Sequence, residues 1–527
     1  MVTMSFTLKE DYWATFKLEP DDIEYLYNYL LESETPMTSQ ELVKTLVVER
    51  IQREKLALEE QRLSGGEIYY PKEQYAVGQI LVFPALGWRR GKVINARPGH
   101  NPDTADFDVI EIDFDDGESH EYAGNLLEHV LNNPPDISDD DDSLNPSFVL
   151  KSHDEQIIAT VETALEEHED FIRIAGRWFP RALLVDVNIG HLNLAEAVLD
   201  LNSGGPLPTS ALIEQVELTS NVNSKLLEFS MDLALQEDER FDEVGPAGEV
   251  LWFLRRLEPA EVLKTPSFLL YHEVDYDPSA LGNQMLKLIE DLDDELSITT
   301  RDVGNPTEAE VRLIYPHWRG GTLPLSARVS HLFPTAYEAP RIRVTFVDGD
   351  NGQRFPAWVL RNRHYVYGLK EWYETAELIP GSVIRVRQGQ NPGEVTIFSD
   401  SQRTTREWVR TVLVGSDGGL VFAMLKQIVP VNFDDRMVVA VPDPDSIDLA
   451  WDKIAKERPA FEQIVVNTVK ELAKLNPQAH VHATELYAAI NIIRRCPPEP
   501  ILALLASRPW FDHVGDLHFR FINAEAN

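Results

Sequence analysis

Between Pro20 and Ser33 apolar side chains recur at helical spacing, at Ile23, Leu26, Tyr27, Leu30 and Leu31, behind acids in the first turn. That pattern predicts an amphipathic helix. Thr38 followed three residues later by Glu41 reads as a capping box. From Ser39 to Arg62 acids and bases then alternate every three or four residues, as on a long helix with a solvated face, and Gly65-Gly66 ends it. The period changes at 67. QILVFPALGWRRGKVINA and FDVIEIDFDDGESHEY cluster or alternate β-branched and aromatic residues between turn formers, which predicts a small antiparallel barrel of SH3 size over 67–130. The stretch 131–154, with Pro134-Pro135 and the run Asp139 to Asp142, reads as an acidic linker.

Helical spacing returns after 155, and an internal echo comes with it. RFDEVGPAGEVLWFL (240–254) and WFDHVGDLHFRFI (510–522) both read aromatic-Asp-x-Val-Gly, a turn, then alternating apolar residues. DFIRIAGRWFPRALL (170–184) is a looser third copy. LNLAEAVLDL, SALIEQV and NSKLLEFSMDLAL precede the 240–254 hairpin, and three short helices followed by a hairpin outline a winged helix. Between 311 and 412, RIRVTFVDGDNGQRFPAWVL predicts a hairpin closed at Asp348 to Gly352, with SVIRVR and EVTIF as later strands. The expected class is α+β and multidomain: repeated winged helices, an SH3-like small barrel and a central β-rich barrel. The expected order is a helical module at 1–64, the barrel at 67–130, the linker at 131–154 and a winged helix with a helical extension at 155–300. A basic β-rich barrel at 311–412, a connector at 413–447 and a C-terminal winged helix at 448–527 complete it.

At 527 residues the chain is long enough for three or four domains of ordinary size. Charge changes the picture more than length does. Forty-eight Lys and Arg face 87 Asp and Glu, a net of −39, so a uniformly basic surface is excluded and any contact with nucleic acid needs a local patch. The 311–412 block runs against the trend, with 14 bases to 9 acids. A single cysteine, Cys496, excludes an intrachain disulfide framework and fits a reducing compartment. The opening MVTMSFTLKEDYWATF has neither a basic leader nor a long apolar core, and no uncharged apolar run nears about 18 residues. The expectation is a cytoplasmic chain with no membrane partner.

Three stretches, TPMTSQELVKTLVVERIQREK, GPLPTSALIEQV with LQEDERFDEVGPAGEVLWFL, and HVHATELYAAINIIRRCPPEPILALLASRPWFDHVG, resemble HARE-type winged helices. That family is similar to the amino-terminal domain of the RNA polymerase delta subunit. The resemblance covers about two-fifths of the chain and implies a DNA-linked or transcription-linked setting. It does not imply groove reading here: the 223–236 helix sets Lys225 against Glu228 and Asp232, and the 499–507 helix has no base, whereas groove-reading helices offer Arg, Lys, Asn or Gln.

The search for catalytic motifs is negative. No G-x-x-x-x-G-K-[ST], H-E-x-x-H, G-x-S-x-G or G-x-G-x-x-G occurs, and none of the 16 lysines has Asp or Glu two positions before it. Asp106, Asp108, Glu111 and Asp113 fit a solvated strand face better than a magnesium site. His480 and His482 flank a valine as a metal pair does, but Glu485 beside them suits a helix cap, and Cys496 lacks an activating partner in sequence. No catalytic residue, metal or cofactor is expected, and the chain reads as non-enzymatic. The positive signals are cationic. Arg341/Arg343, Arg361/Arg363 and Arg385/Arg387 are Arg-x-Arg pairs that strands would turn to one face, interleaved with Trp358, Tyr365, Tyr367, Trp372 and Tyr373. Trp88, Arg89, Arg90 and Lys92 make a smaller patch on the first barrel. Two readings stand: a regulatory protein whose basic barrel touches DNA or other nucleic acid, and a protein-only adaptor, on RNA polymerase or another protein, with an acidic nucleic-acid-like surface.

Overall fold

The computed structural model describes residues 12–522 apart from 65, 87–88, 101–105, 115–116, 133–141, 217, 219–221, 299–303, 305, 392 and 416–417. Two compact units divide the chain: residues 1–185 with 221–229, and residues 186–220 with 230–527.

In the first unit, α1 (Pro20–Ser33), β1 (Met37–Thr38) and α2 (Ser39–Ser64) open the chain. The capping box forms: the Thr38 N–H donates to Glu41 Oε2 at 2.8 Å and the Glu41 N–H donates to Thr38 Oγ1 at 3.3 Å. Next come β2 (Glu67–Ile68), β3 (Ile80–Phe83), β4 (Arg89–Pro98), β5 (Asp108–Phe114) and β6 (Ser119–Gly124), a five-stranded sheet in chain order. Tyr69, Leu81, Phe83, Val93, Ile110, Ile112 and Phe114 fill its core. The chain then enters α3 (Pro146–Glu166) and the hairpin β7 (Phe171–Ile174) to β8 (Arg177–Pro180). β8 pairs with β1, matching Met37 to Trp178. The 170–184 segment is therefore the wing of the first module, and the five-stranded barrel is an insertion between that module's second and third helices. The expected linker also shortens, since 146–154 is the first part of α3.

A second module follows as α4 (Ile189–Leu201), β9 (Leu207–Pro208), α5 (Thr209–Val216), α6 (Ser224–Glu237), β10 (Phe241–Glu243) and β11 (Leu251–Leu254). Its residues 221–229 belong to the first unit. A bridge of α7 (Ala260–Leu263) and α8 (Asn283–Leu292) leads to β12 (Glu308–Arg312), α9 (Tyr315–Gly320), β13 (Thr322–Pro324), β14 (Ile342–Asp348), β15 (Arg354–Leu360), β16 (Tyr365–Tyr367), α10 (Lys370–Thr375), β17 (Val383–Gln388) and β18 (Glu394–Phe398). The seven strands form one sheet in the order β12-β17-β18-β14-β15-β16-β13. Its alternating strands, such as β14 with every second residue buried, bury Val344, Phe346, Val359, Ile384, Val395 and Ile397 in one core. A long hairpin, β19 (Ser401–Val414) and β20 (Leu420–Val431), replaces the expected connector. Then come α11 (Pro444–Glu457) and the third module: α12 (Phe461–Ala473), β21 (Val481–His482), α13 (Ala483–Ile493), α14 (Pro498–Ser507), β22 (Phe511–Gly515) and β23 (His518–Phe521).

The three modules share one strand order, β1-β8-β7, β9-β11-β10 and β21-β23-β22. Their registers coincide too, with Met37 opposite Trp178, Leu207 opposite Trp252 and Val481 opposite Phe519. In each module the short strand of that pair leads straight into the second helix, which begins at Ser39, Thr209 and Ala483. The Trp178 indole N–H donates to Ser39 Oγ and the Trp252 indole N–H to Thr209 Oγ1, both at 3.1 Å. A tryptophan on the wing thus bonds the hydroxyl that starts helix two, and in the third module the apolar Ala483 and Phe519 stand at those two positions in one core. One arrangement is thus used three times: a helix, a short strand, two helices and a hairpin whose second strand pairs back onto the short strand.

Candidate functional site

The arginines marked out by the sequence do not form a ribbon. β17 and β14 are separated by β18, so Arg385/Arg387 and Arg343 are not on neighbouring strands. Arg361 and Arg363 lie on a 3-10 turn after β15, where a spacing of two gives no common face. Arg341 precedes β14 and is 8% exposed. It forms an ion pair with Asp242 and another, at 3.0 Å, with Glu258. Arg343 lies 4.9 Å from the Phe253 ring and 5.1 Å from the Trp358 ring, and burial lowers its pKa. Arg361 donates to the carbonyls of Pro334, Ser330 and Phe333 at 2.6 to 3.0 Å, and Arg363 to those of Val262 and Leu263 at 3.0 and 2.9 Å. Arg385 grips Asp400, with 2.7 Å from Nε to Oδ2, and Glu308 at 3.2 Å. Arg387 pairs with Glu308 at 3.0 Å, and both guanidinium groups lie over Phe398. Four of the five expected stacking platforms are core, Trp358, Tyr365, Trp372 and Tyr373 each being at most 5% exposed, and Tyr367 is half-buried.

The physical reason is local supply. An arginine beside a carboxylate it can reach gains charge-assisted hydrogen bonds, and this acidic chain places carboxylates or carbonyls within reach of five of the six, while Arg343 is held between two rings. The wings behave alike. Arg173 pairs with Glu162 and Glu166, Arg240 with Asp238 and Glu196, and Arg520 with Asp512. On the first barrel Arg89 sits 4.5 Å from the Phe114 ring and pairs with Glu118, while Trp88 lies outside the described residues. Arg90 and Lys92, two apart on β4, are exposed.

The third helices of the modules offer no groove reader. In α6, Asp232 is buried, accepting from Thr209 Oγ1 and, at 2.9 Å, from the Trp252 indole N–H, so it is not the surface acid that the sequence suggested. In α14, Pro498 to Ala503 and Leu505 are buried, which removes that helix from any groove. α3 shows solvent Lys151, Glu155 and Glu166, with Asp154 and Glu162 half-buried.

Sequence reasoning missed a polar cluster in the interior of the second unit. Arg495, fully buried, donates to Asp294 at 2.6 Å, to Glu295 at 2.7 Å and to Asn491 at 3.1 Å. His317, also buried, lies 2.9 Å from Glu295 through Nε2 and 2.8 Å from Thr322 Oγ1 through Nδ1. The Tyr487 hydroxyl donates to Asp294 at 2.5 Å. Arg495 and His317 hold the Glu295 carboxyl well below the usual carboxylate range despite its burial. The adjoining cavity, lined by Asp293, Asp294, Glu295, Arg312 and Tyr487, is about 20 Å³, room for about one water. The cluster ties the end of α8 and the start of the central sheet to α13. Its members are scattered from 294 to 495, so no short motif marks them.

His482 is not poised for metal. Its Nδ1 accepts from the Thr484 N–H at 3.1 Å, capping α13, and its Nε2 lies 2.9 Å from Arg436. Burial and Arg436 push its pKa down to about 4. Burial pushes the Cys496 thiol far up. Among the described residues no group of three or more His, Cys, Asp or Glu is placed to hold a metal ion, and no helix is long and apolar enough to cross a membrane. Comparison with protein-family models, with curated proteins and with solved structures returned no match, so the functional reading rests on this geometry.

Proposed function

We propose that the chain is a non-enzymatic adaptor that binds proteins, with the transcription-linked setting implied by the HARE-type resemblance. The observation that carries this reading is the internal use of positive charge: the six central arginines are engaged with carboxylates, carbonyls and rings of the same chain. Backbone-tracking nucleic-acid binding draws on exposed cations, each phosphate contact adding roughly 0.9 to the slope against log salt. The winged helices, with a buried third helix in one module and an acidic one in another, suit protein contacts.

Two measurements test it together. The full chain, added to nuclease-treated lysate, is expected to retain a stoichiometric protein partner. The same chain at about 50 mM salt is expected to leave labelled duplex DNA and RNA unbound, since non-specific binding is electrostatic. Nucleic-acid binding with a steep salt slope that Arg90→Glu with Lys92→Glu flattens by about two units would overturn the reading and move the interface to β4.

A further inference from the structure

β19 and β20 form a two-stranded sheet, and β20 has no strand on its other side among the described residues. Register pairs Trp408 with Lys426, Arg410 with Met424 and Arg406 with Ile428, which puts these six on one face. Val412 and Phe422 near the turn, and Val409, Val429 and Val431 further along, anchor the hairpin in two buried cores. Six other large apolar side chains are in water: Trp408 is 62% exposed, Ile428 55%, and Leu413, Val421, Met424 and Leu425 38 to 41%. An anchored, rigid strand with an open edge leaves alternate N–H and C=O groups without a strand partner. Lys426 and Pro430 are the usual guards against uncontrolled pairing; they do not account for six large apolar residues exposed on one hairpin.

We infer that the open edge of β20, over 420–429, is a docking site for an extended acidic peptide segment of a partner protein, added as a further strand. The inference rests on the adaptor reading and names its surface. An added strand places one set of alternate side chains beside Met424, Lys426 and Ile428, so the matching sequence has a carboxylate flanked two residues away on each side by apolar residues. Pro430 lacks an N–H and ends the usable edge. Charge selects the occupant. On the face shared by Trp408, Met424, Lys426 and Ile428 the exposed charges are Arg406 and Lys426, both positive, while Arg410 there is buried on Glu485 and Glu407 lies on the opposite face. A second copy paired through the same edge at this register would bring Lys426 beside its own duplicate, which like-charge repulsion opposes. A nucleic acid has no use for a row of alternating backbone donors and acceptors.

The test uses the full chain and a labelled peptide, Thr-Val-Thr-Glu-Thr-Val-Thr, which reads the same in either strand direction. Saturable binding below about 1 mM is expected, as for a small transient interface. Replacing the central Glu by Lys in the peptide should weaken binding about fivefold, and Lys426→Glu should reverse that preference, the size expected of a cross-strand charge pair. Lys426 is exposed, so this variant keeps the fold. Hydrogen exchange of amides within 420–429 should slow on binding. No saturation, indifference to both charge exchanges, unchanged exchange in β20, or displacement of the peptide by oligothymidylate would each overturn the proposal. A nuclease-resistant partner still held by Lys426→Glu combined with Ile428→Lys would overturn this edge as its docking site while leaving the adaptor reading intact; loss of every protein partner from the unmodified chain would overturn the adaptor reading instead.

Discussion

At the scale of residues, buried charge is spent on holding the molecule together. Arg495→Met leaves Asp294 and Glu295 without their shared cation in a closed interior, and breaking such a pair costs about 3–5 kcal/mol. Urea unfolding should show that loss, and adding Asp294→Asn with Glu295→Gln should recover part of it, because the uncompensated charges go too. Titration gives a second residue-scale prediction. Burial raises the Glu243 carboxyl to about 8 and His482 is lowered to about 4. The folded state keeps the Glu243 proton after the unfolded chain has lost it, so its contribution is full below about 4.5 and is lost as pH rises toward 8. His482 works in the opposite direction: its contribution is present above about 6.5 and is lost as pH falls toward 4, because the unfolded chain takes up the proton first. Stability measured against pH should lose the upper slope in Glu243→Gln. It should lose the lower slope in His482→Asn, which retains a capping oxygen for the Thr484 N–H.

Among elements, the hairpin β19–β20 contributes to both the central sheet and the third winged helix. Phe422 belongs to the core shared with α12, α13 and α14, whereas Val429 belongs to the core of the sheet. Phe422→Ala should cost about 3–5 kcal/mol and lower the cooperative melting of the third module together with the hairpin, followed by circular dichroism. The helices of the modules were legible in the chain because their apolar spacing is local: Leu26 and Leu30 on α1 and Leu192, Ala195 and Leu199 on α4 are buried as the period implies. Connections were less legible. The wing at 171–180 follows α3 directly, and nothing local says that its strand partner is Met37–Thr38, more than 130 residues earlier. β19 runs past 412, where the expected barrel ends, because it pairs with β20 from the other side of residues 415–419, and that pairing is not written in local spacing.

For the whole molecule, net charge misleads about local charge. A chain of −39 with a +5 central block suggests a cationic ribbon, yet Arg341 is clasped by carboxylates from β10 and from the start of the bridge, at Asp242 and Glu258. Reversing Arg385 and Arg387 to Glu is therefore expected to lower stability, by loss of the Asp400 and Glu308 pairs, and to leave the salt dependence of any nucleic-acid binding unchanged. A salt titration beside a thermal melt checks both. The sequence by itself determined the α+β class, the helices and hairpins that local spacing marks, the β-rich stretch after residue 67, and the lack of common catalytic signatures. These depend on periodicity and spacing, which are properties of neighbouring residues. Tertiary structure alone decided that the barrel interrupts the first module, that Arg495 meets Asp294 and Glu295, which guanidinium groups are neutralised, and that β20 keeps an open edge. Those outcomes depend on which distant segments meet, and a chain's local pattern carries no record of that.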